Sequence, residues 1–417
     1  MKKLLRLSLV FLCLTTLSCQ TNAQNDRATS WRQDIDFLVT EIKKQHYVYK
    51  DQALPQALIQ QLENLKKHTI AYSNERMLIE LQRAMYYLGD GHSYVLPFGA
   101  NVAPIHFLPL HFYQFSDGLF VIDAKAPYEH LVGLKVKKLG QVTSEKLMQD
   151  MVHFVSQDNT MGATWIGPFF MRFRGLLEAY GLPQNAADID IAFENQTGKT
   201  IKQKVAFIDV PRQRGIPKLL APKAHIPLYL SNVQTNFWLK DMPQKQVLYW
   251  QFNQVLNSDN ESINAFSKRL DSQLVIKKPR FLIIDVRHNN GGNADLTPPL
   301  IRVLKNYEQN QQGKIIVLTG RNTFSAAQIF ITRVDKETNA LFAGEPSSSS
   351  PNFVGEENGL TLPYSGAIVS ISNRYHENNK GDNRKWIEPN LSILLSSKSY
   401  FEGKDPVLEA VLKEYVK

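Results

Sequence analysis

Cysteine is almost absent from this chain. The 417 residues include two cysteines, Cys13 and Cys19, and both lie near the amino terminus. The remainder of the chain therefore cannot form a disulfide bond, use a thiol nucleophile or bind a metal through cysteine. These absences exclude a disulfide-stapled fold and a cysteine-dependent catalytic or zinc site.

Patterns typical of metal and nucleic-acid binding are also missing. No His-Glu-x-x-His or comparable spacing occurs, and His106 and His111 are five residues apart, which predicts opposite faces of a strand. The formal charge of +9 is mild and spread along the chain, without a stripe of basic residues interleaved with aromatic ones. The sequence thus predicts no metal site, no cofactor and no nucleic-acid partner.

Long apolar runs are lacking, apart from a short one at the amino terminus. The stretch Leu4–Leu17, with basic residues around its start, is too short to span a bilayer comfortably and is typical of a secretion signal over residues 1–23. It predicts export to the bacterial periplasm or outer membrane. Leu17-Ser18-Cys19 resembles a lipoprotein signal, in which a lipid on Cys19 attaches the chain to a membrane, whereas Thr21-Asn22-Ala23 suits cleavage to a soluble chain. We favour the lipoprotein interpretation.

Three regions follow the signal segment. Residues 24–98 carry apolar residues at helical spacing and predict a helical domain, whose last helix ends at Gly89-Asp90-Gly91, directly before His92. Residues 99–240 predict a β-rich module, which is either a PDZ-like unit that binds an extended peptide or an insertion that covers an active site. Residues 241–417 alternate strand and helix patterns, which is typical of an α/β layer fold.

Two strand ends in the α/β region carry the strongest chemical pattern. The apolar run Phe281–Ile284 predicts a buried strand, after which the chain turns through Gly291 and Gly292. A second buried strand, Lys314–Leu318, leads to Ser325 at the start of a helix. A serine there lies where helix N–H groups and the helix dipole stabilise developing negative charge. The pattern predicts a nucleophile beside an oxyanion hole, and therefore a serine hydrolase.

A serine nucleophile needs a general base. Lys336 lies about 16 Å along the predicted helix at ~1.5 Å per residue, and residues 344–352 contain no lysine. Histidine suits proton transfer near neutral pH. We prefer His92 in its glycine-flanked loop to His288, because the turn containing His288 is assigned to the oxyanion. The residues alone leave the acidic partner open among Glu345, Glu356, Glu357, Asp382 and Glu388.

Short motifs occur along the chain in a characteristic order. They read LGDGHSYV at 88–95, DVRHNNGG at 285–292, TFSAAQ at 323–328, GEP at 344–346 and IEPNLSI at 387–393. Together they resemble the C-terminal-processing (tail-specific) serine peptidase family over most of residues 30–417. The resemblance implies a ClpP/crotonase-like α/β catalytic domain, an amino-terminal helical domain and often a PDZ-like module.

The family resemblance also implies catalytic roles. In the serine–lysine branch a lysine stands where this chain has Ser350, so the chain is more similar to the branch that resembles the tricorn core protease. On that pattern Ser325 is the nucleophile, His92 the base and Asp382 the acid. The implied oxyanion donors are the N–H groups of Ala326 and of Gly291 or Gly292.

Several positions depart from the family pattern. Gln328 stands where the family often has glutamate, Asn390 replaces the usual aspartate after a proline, and the acid position falls on either Asp382 or Asn383. We predict an exported serine endopeptidase whose partner is a polypeptide substrate. The alternative is a catalytically inactive protein that binds peptides or apolar ligands on the same scaffold.

Overall fold

The computed structural model describes residues 2–99, 101–102, 105–155, 157–209, 219–220, 222 and 225–416. The side chains of residues 2–23 lie outside this description, so the predicted signal segment, Cys13 and Cys19 lie outside it as well. In the part of the chain that is described, no helix has both the length and the apolar character that crossing a membrane requires.

Helices and strands follow each other along the described chain in sequence order. The α-helices of the described chain are α1 Lys2–Gln45, α2 Gln56–Lys67, α3 Asn74–Met85, α4 Ser144–Asp150, α5 Met161–Phe170, α6 Arg174–Glu178, α7 Ile263–Lys277, α8 Pro298–Gln311, α9 Ala326–Glu337, α10 Ser397–Phe401 and α11 Pro406–Glu414. The strands are β1 Tyr94–Gly99, β2 His106–Phe107, β3 Leu110–Phe115, β4 Gly118–Ala124, β5 Lys135–Leu139, β6 Val142–Thr143, β7 Asp188–Glu194, β8 Thr200–Ala206, β9 Ile208–Asp209, β10 Phe237–Met242, β11 Val247–Phe252, β12 Phe281–Asp285, β13 Lys314–Thr319, β14 Leu341–Gly344, β15 Phe353–Thr361, β16 Ala367–His376 and β17 Leu391–Ser392.

The carboxyl-terminal region is built on a sheet of strand order β10-β11-β12-β13-β14-β17. All neighbours are parallel except β10 and β11, which are antiparallel. Alternate residues of β12 enter different cores, because successive side chains of a strand point to opposite faces. Leu282 and Ile284 pack with residues of α7, α8 and α9, whereas Phe281 and Ile283 pack with residues of α11. Helices therefore cover both faces, and the predicted α/β class is confirmed.

The other sheets are antiparallel, and the smallest of them pairs β2 with β9. Strands β1, β16 and β15 form one sheet, and β3, β4, β5, β7 and β8 form another, with β6 paired to β5. A single hydrophobic core joins these sheets to α1, α2 and α3. The predicted domain limits after residues 98 and 240 fall inside β1 and β10, so the chain divides less sharply there than expected. The ClpP/crotonase-like and PDZ-like assignments stay predictions.

The ends of β12 and β13 define where the candidate site lies. The two strands are parallel neighbours, and Asp285 pairs in register with Leu318. Because parallel strands end at the same edge of a sheet, the glycine turn after β12 and the serine turn after β13 lie side by side. This is the arrangement that the serine hydrolase prediction requires.

Candidate active site

Ser325 lies at a strained turn between β13 and α9. Its backbone has φ +54° and ψ −125°, a conformation that side-chain-bearing residues rarely adopt. The side chain makes no capping hydrogen bond to the described first turn of α9. An ordinary helix-capping role therefore does not account for this serine, and its partly exposed hydroxyl is available for another contact.

That contact is with His92. The Nε2 atom of His92 and the Oγ atom of Ser325 are 3.0 Å apart, although the residues are 233 positions apart in the chain. The imidazole stacks against Phe324 and Phe353, with ring centroids 4.4 and 5.3 Å away. Only 5% of the histidine surface is exposed. The two aromatic rings therefore hold the imidazole in the plane that its bond to the serine needs.

Burial determines the charge of this imidazole. Removal from water lowers the pKa of His92 to about 4, although the negative charges of Asp90 and Glu357 raise it. The ring is therefore neutral at pH 7 and can accept a proton through Nε2. Its Nδ1 atom has no hydrogen-bond partner among the described residues.

The loop that carries His92 is fixed by the buried carboxylate of Asp90. The carboxylate accepts hydrogen bonds from the backbone N–H groups of His92 at 2.9 Å and Ser93 at 2.6 Å, and from the Ser372 hydroxyl at 2.5 Å. His46 Nε2 lies 3.0 Å from its other oxygen. Burial raises the pKa of Asp90, but the hydrogen bonds from His46 and Ser372 outweigh burial, and the pKa is lowered. Sequence reasoning missed this role, although Asp90 stands between two glycines in the histidine motif.

A second, half-buried carboxylate connects the histidine and serine sides. Asp158 accepts hydrogen bonds from the Gly91 backbone N–H and from the Ser349 hydroxyl, each at 2.7 Å. The Ser349 oxygen in turn accepts a bond of 3.4 Å from the backbone N–H of Ser325. Burial raises the pKa of Asp158 to about 7, against the effect of the Ser349 bond. No sequence motif pointed to Asp158 or Ser349, because their contacts span distant parts of the chain.

Gly291 and Ala326 adjoin Ser325, as an oxyanion hole would need. Gly291 has φ +114°, and a Cβ atom added to it would lie 2.8 Å from Cβ of Ser325 and 3.1 Å from N of Ala326. Ala326 is the first residue of α9, so its N–H has no acceptor within the helix. The N–H of Gly291 donates to Oδ1 of Asn289 at 3.1 Å. Two backbone N–H groups thus belong to residues that adjoin Ser325, and one of them is bonded to an amide oxygen.

Gly292, the alternative oxyanion donor, packs elsewhere. It pairs with Val255, whose carbonyl oxygen lies 2.3 Å from the place where a Cβ of Gly292 would be. Asn289 connects the glycine turn to its surroundings, because its side chain donates to the Phe252 carbonyl at 3.0 Å and its carbonyl accepts the Phe324 N–H at 3.1 Å. The geometry therefore favours Gly291 over Gly292 beside the serine.

The structure does not bring Asp382 together with His92. Its carboxylate is bonded to the guanidinium of Arg384 and to the side-chain amide of Asn379 at 3.0 Å. The bond from Arg384 is the main reason why the pKa of Asp382 is lowered to about 2. The carboxylate that was expected to orient His92 is therefore paired with Arg384, two residues further along the chain.

The remaining candidate residues also have identifiable contacts. Glu345 is bonded to Arg321, and Glu388 accepts from the Trp386 indole at 2.7 Å. The negative charges of Glu356 and Glu357 on β15 act on His92 without a direct hydrogen bond to it. The rival histidine, His288, stacks on Tyr229 with centroids 5.8 Å apart.

Comparison with solved structures shows what this fold resembles. The structure of mature CPAF complexed with lactacystin aligns with a TM-score of 0.63 and 13% identity, covering 90% of this chain and 96% of that one. A CPAF mutant gives a TM-score of 0.63 and 12% identity over 94% and 97% of the two chains. The photosystem II D1 C-terminal processing protease is less similar, with a TM-score of 0.39 and 12% identity over 93% and 98%. Neither a protein-family model nor a curated protein sequence matches the chain. The chain and CPAF therefore share a fold.

Proposed function

We propose that this chain is a serine peptidase of the C-terminal-processing (tail-specific) type that hydrolyses peptide bonds in polypeptides. The observation that carries the proposal is the 3.0 Å contact between His92 Nε2 and Ser325 Oγ. A neutral, buried imidazole bonded to a serine at a helix amino terminus is the arrangement that activates a hydroxyl for acyl transfer. The fold shared with mature CPAF and the ordered sequence motifs also support it.

The reaction follows from these groups. The Ser325 oxygen attacks the carbonyl carbon of a peptide bond while His92 Nε2 takes the hydroxyl proton. The negative charge that develops on the carbonyl oxygen is stabilised by the N–H groups of Ala326 and Gly291. The N–H of Gly291 leaves the Oδ1 atom of Asn289 and donates to the oxyanion instead. His92 then gives its proton to the leaving amine. Water hydrolyses the acyl-serine with His92 again as base, which returns both residues to their starting state.

We also propose that the peptidase is exported. The pattern of residues 1–23 supports a secretion signal, and Leu17-Ser18-Cys19 supports attachment to a membrane through a lipid on Cys19. Mass spectrometry of the protein isolated from membranes tests this proposal. A lipid-modified cysteine at the new amino terminus supports it, and an unprocessed amino terminus contradicts it.

The proposed activity is tested by hydrolysis of an unfolded protein. Wild type should cleave it, and Ser325→Ala and His92→Ala should each lose about 10³-fold or more in rate. Ser350→Ala is the matched control, because it removes a hydroxyl from the neighbouring loop that is bonded to the Lys385 carbonyl and not to His92. Equal cleavage by wild type and the two site variants would refute the proposal.

A further inference from the structure

A cavity of about 260 Å³ opens beside His92. Its wall includes His92 itself, Phe324 from the serine turn and Asn290 from the glycine turn. Phe324 directly precedes Ser325, and Asn290 directly precedes Gly291. The cavity therefore contacts the base itself and the residues that directly precede the nucleophile and an oxyanion donor, which is where a side chain next to the reacting carbonyl would lie.

The cavity has an apolar floor and an aromatic rim. The buried floor consists of Val95, Phe98, Val155 and Phe170. The partly exposed rim comes mainly from α5 and β1, with Trp165, Ile166, Phe169, Tyr94 and Leu96. Apolar surface that stays in contact with water is costly, and an apolar occupant would remove this wall from water.

The size of the cavity selects among apolar occupants. An engineered protein cavity of about 150 Å³ is sufficient to bind benzene, so this one accommodates a phenyl or indole ring. A methyl group would leave most of the wall without contacts and would forfeit the dispersion energy that a ring gains. Large apolar side chains therefore fit this space better than small ones.

The charges around the cavity disfavour an acidic occupant. Among the described residues that line it, the one carboxylate is that of Glu357, and none is lysine or arginine. Glu357 is exposed and accepts a hydrogen bond of 2.7 Å from the Ser370 hydroxyl. An aspartate or glutamate side chain would enter apolar surroundings without a cation to pair with, and would meet a like charge.

We infer that this cavity is the pocket that selects substrates, and that it binds a bulky apolar side chain, aromatic ones best, next to the peptide bond that Ser325 attacks. This inference rests on the proposed function and adds a substrate class to it. Helix α5 of the middle region thereby supplies the specificity of a reaction whose nucleophile lies on the carboxyl-terminal sheet.

The test begins with wild type and a peptide series that differs at one residue. The products of an unfolded protein first locate the cleaved bonds by mass spectrometry. Peptides with phenylalanine, alanine or aspartate at the selected position are then compared by kcat/KM. The kcat/KM of the phenylalanine peptide should exceed that of the alanine peptide by roughly 10–100-fold. The aspartate peptide should have the lowest kcat/KM of the three. Cleavage without any preference for aromatic residues would overturn the inference while leaving the proposed function intact.

Variants of Ile166 connect the preference to this cavity. Ile166→Trp fills the space and should bring the ratio of kcat/KM for the phenylalanine peptide to that for the alanine peptide close to one. Ile166→Ala enlarges the space and should favour tryptophan over phenylalanine, which provides a second measurement if the larger side chain prevents folding. Met161→Trp adds the same bulk to α5 outside the cavity lining and should leave the ratio unchanged.

Each outcome of this experiment has one meaning. Ratios that stay at the wild-type value in both Ile166 variants would show that selection occurs elsewhere, and would overturn the inference. Failure of the wild type to cleave any peptide, with Ser325→Ala indistinguishable from it, would instead refute the proposed function together with the inference that rests on it.

Discussion

The serine half and the histidine half of the candidate site are built in different ways. The serine half consists of two turns that leave neighbouring parallel strands, and the backbone bond from Phe324 to Asn289 joins them directly. The histidine half is a loop held by side chains from distant segments, including His46 and Asp158. Backbone conformation thus fixes the nucleophile, whereas buried polar side chains fix the base. The two halves should therefore respond differently to substitution.

The largest effect should come from the backbone of the serine half. Gly291→Ala places a Cβ atom 2.8 Å from Cβ of Ser325 at φ +114°, so the glycine turn has to move away from the serine. We expect peptide hydrolysis to fall about 10²–10³-fold, the range seen when an oxyanion donor is lost. Steady-state kinetics measure this loss. Gly359→Ala on β15 is the control, since no atom lies within 4 Å of its added Cβ; equal activity of both variants would contradict the account.

A buried charge should be the weak point of the histidine half. Asp90→Asn keeps the size of the side chain but cannot accept all four contacts that the carboxylate accepts. We expect the free energy of unfolding to fall by about 3 kcal/mol, and hydrolysis to fall because His92 loses its backbone anchor. Chemical denaturation and kcat measure the two effects. Asp259→Asn, at an exposed position, should change neither; a stable and fully active Asp90→Asn would show that the loop is held by other contacts.

The contribution of Asp158, which connects the two halves, to the free energy of unfolding should depend on pH. The folded chain keeps a proton on Asp158 up to about pH 7, whereas an unfolded aspartate releases it near its ordinary pKa of 3.8. The contribution of Asp158 to stability therefore falls as the pH rises from about 4 to 7, and stays low above it. Asp158→Asn cannot titrate, so the free energy of unfolding of the variant relative to wild type should rise over this range, by up to about 4 kcal/mol.

Denaturation at several pH values tests the role of Asp158. Ser349→Ala is the matched variant, because it removes the 2.7 Å hydrogen bond but keeps the carboxyl group, and it should keep the pH dependence. If the free energies of unfolding of wild type and Asp158→Asn change in parallel between pH 4 and 7, Asp158 does not keep its proton in the folded chain, and the prediction is contradicted.

The smallest effect should come from Asp382. Its carboxylate is bonded to Arg384 and Asn379 and makes no contact with His92. Asp382→Asn should therefore leave hydrolysis within roughly 3-fold of wild type and cost about 1 kcal/mol of stability, as expected for an ion pair whose arginine is exposed to solvent. A loss of about 100-fold would instead support Asp382 as the acid of a catalytic triad.

The sequence predicted the serine half more completely than the histidine half. Buried strands, glycines at strand ends and a serine at a helix start are local patterns, so Ser325, Gly291 and Ala326 could be found within 45 residues of each other. His92 was found through its glycine-flanked loop and the family resemblance. The contact between His92 and Ser325 could not be derived from spacing, because the two residues are 233 positions apart in the chain.

The misses share a physical cause. Asp158 and Ser349 act through contacts that span 24 to 191 residues, and no local pattern records such contacts. Helix α5 was not predicted, because Gly162, Gly167 and Pro168 favour irregular structure, yet its aromatic residues form the cavity rim. Asp382 was chosen by its place in a motif, while the arginine two residues later signalled a local ion pair.

The most direct test of the account is the rate at which a fluorophosphonate labels Ser325 as a function of pH, with folding monitored by circular dichroism. Because burial lowers the pKa of His92 to about 4, the neutral base is present above that pH. The labelling rate of wild type should therefore stay constant from pH 8 to about 5 and fall to half near pH 4. In His92→Ala, labelling should be nearly abolished at every pH. A Ser325 that stays unlabelled at every pH, or that is labelled equally without His92, would contradict the account and favour a catalytically inactive binding protein.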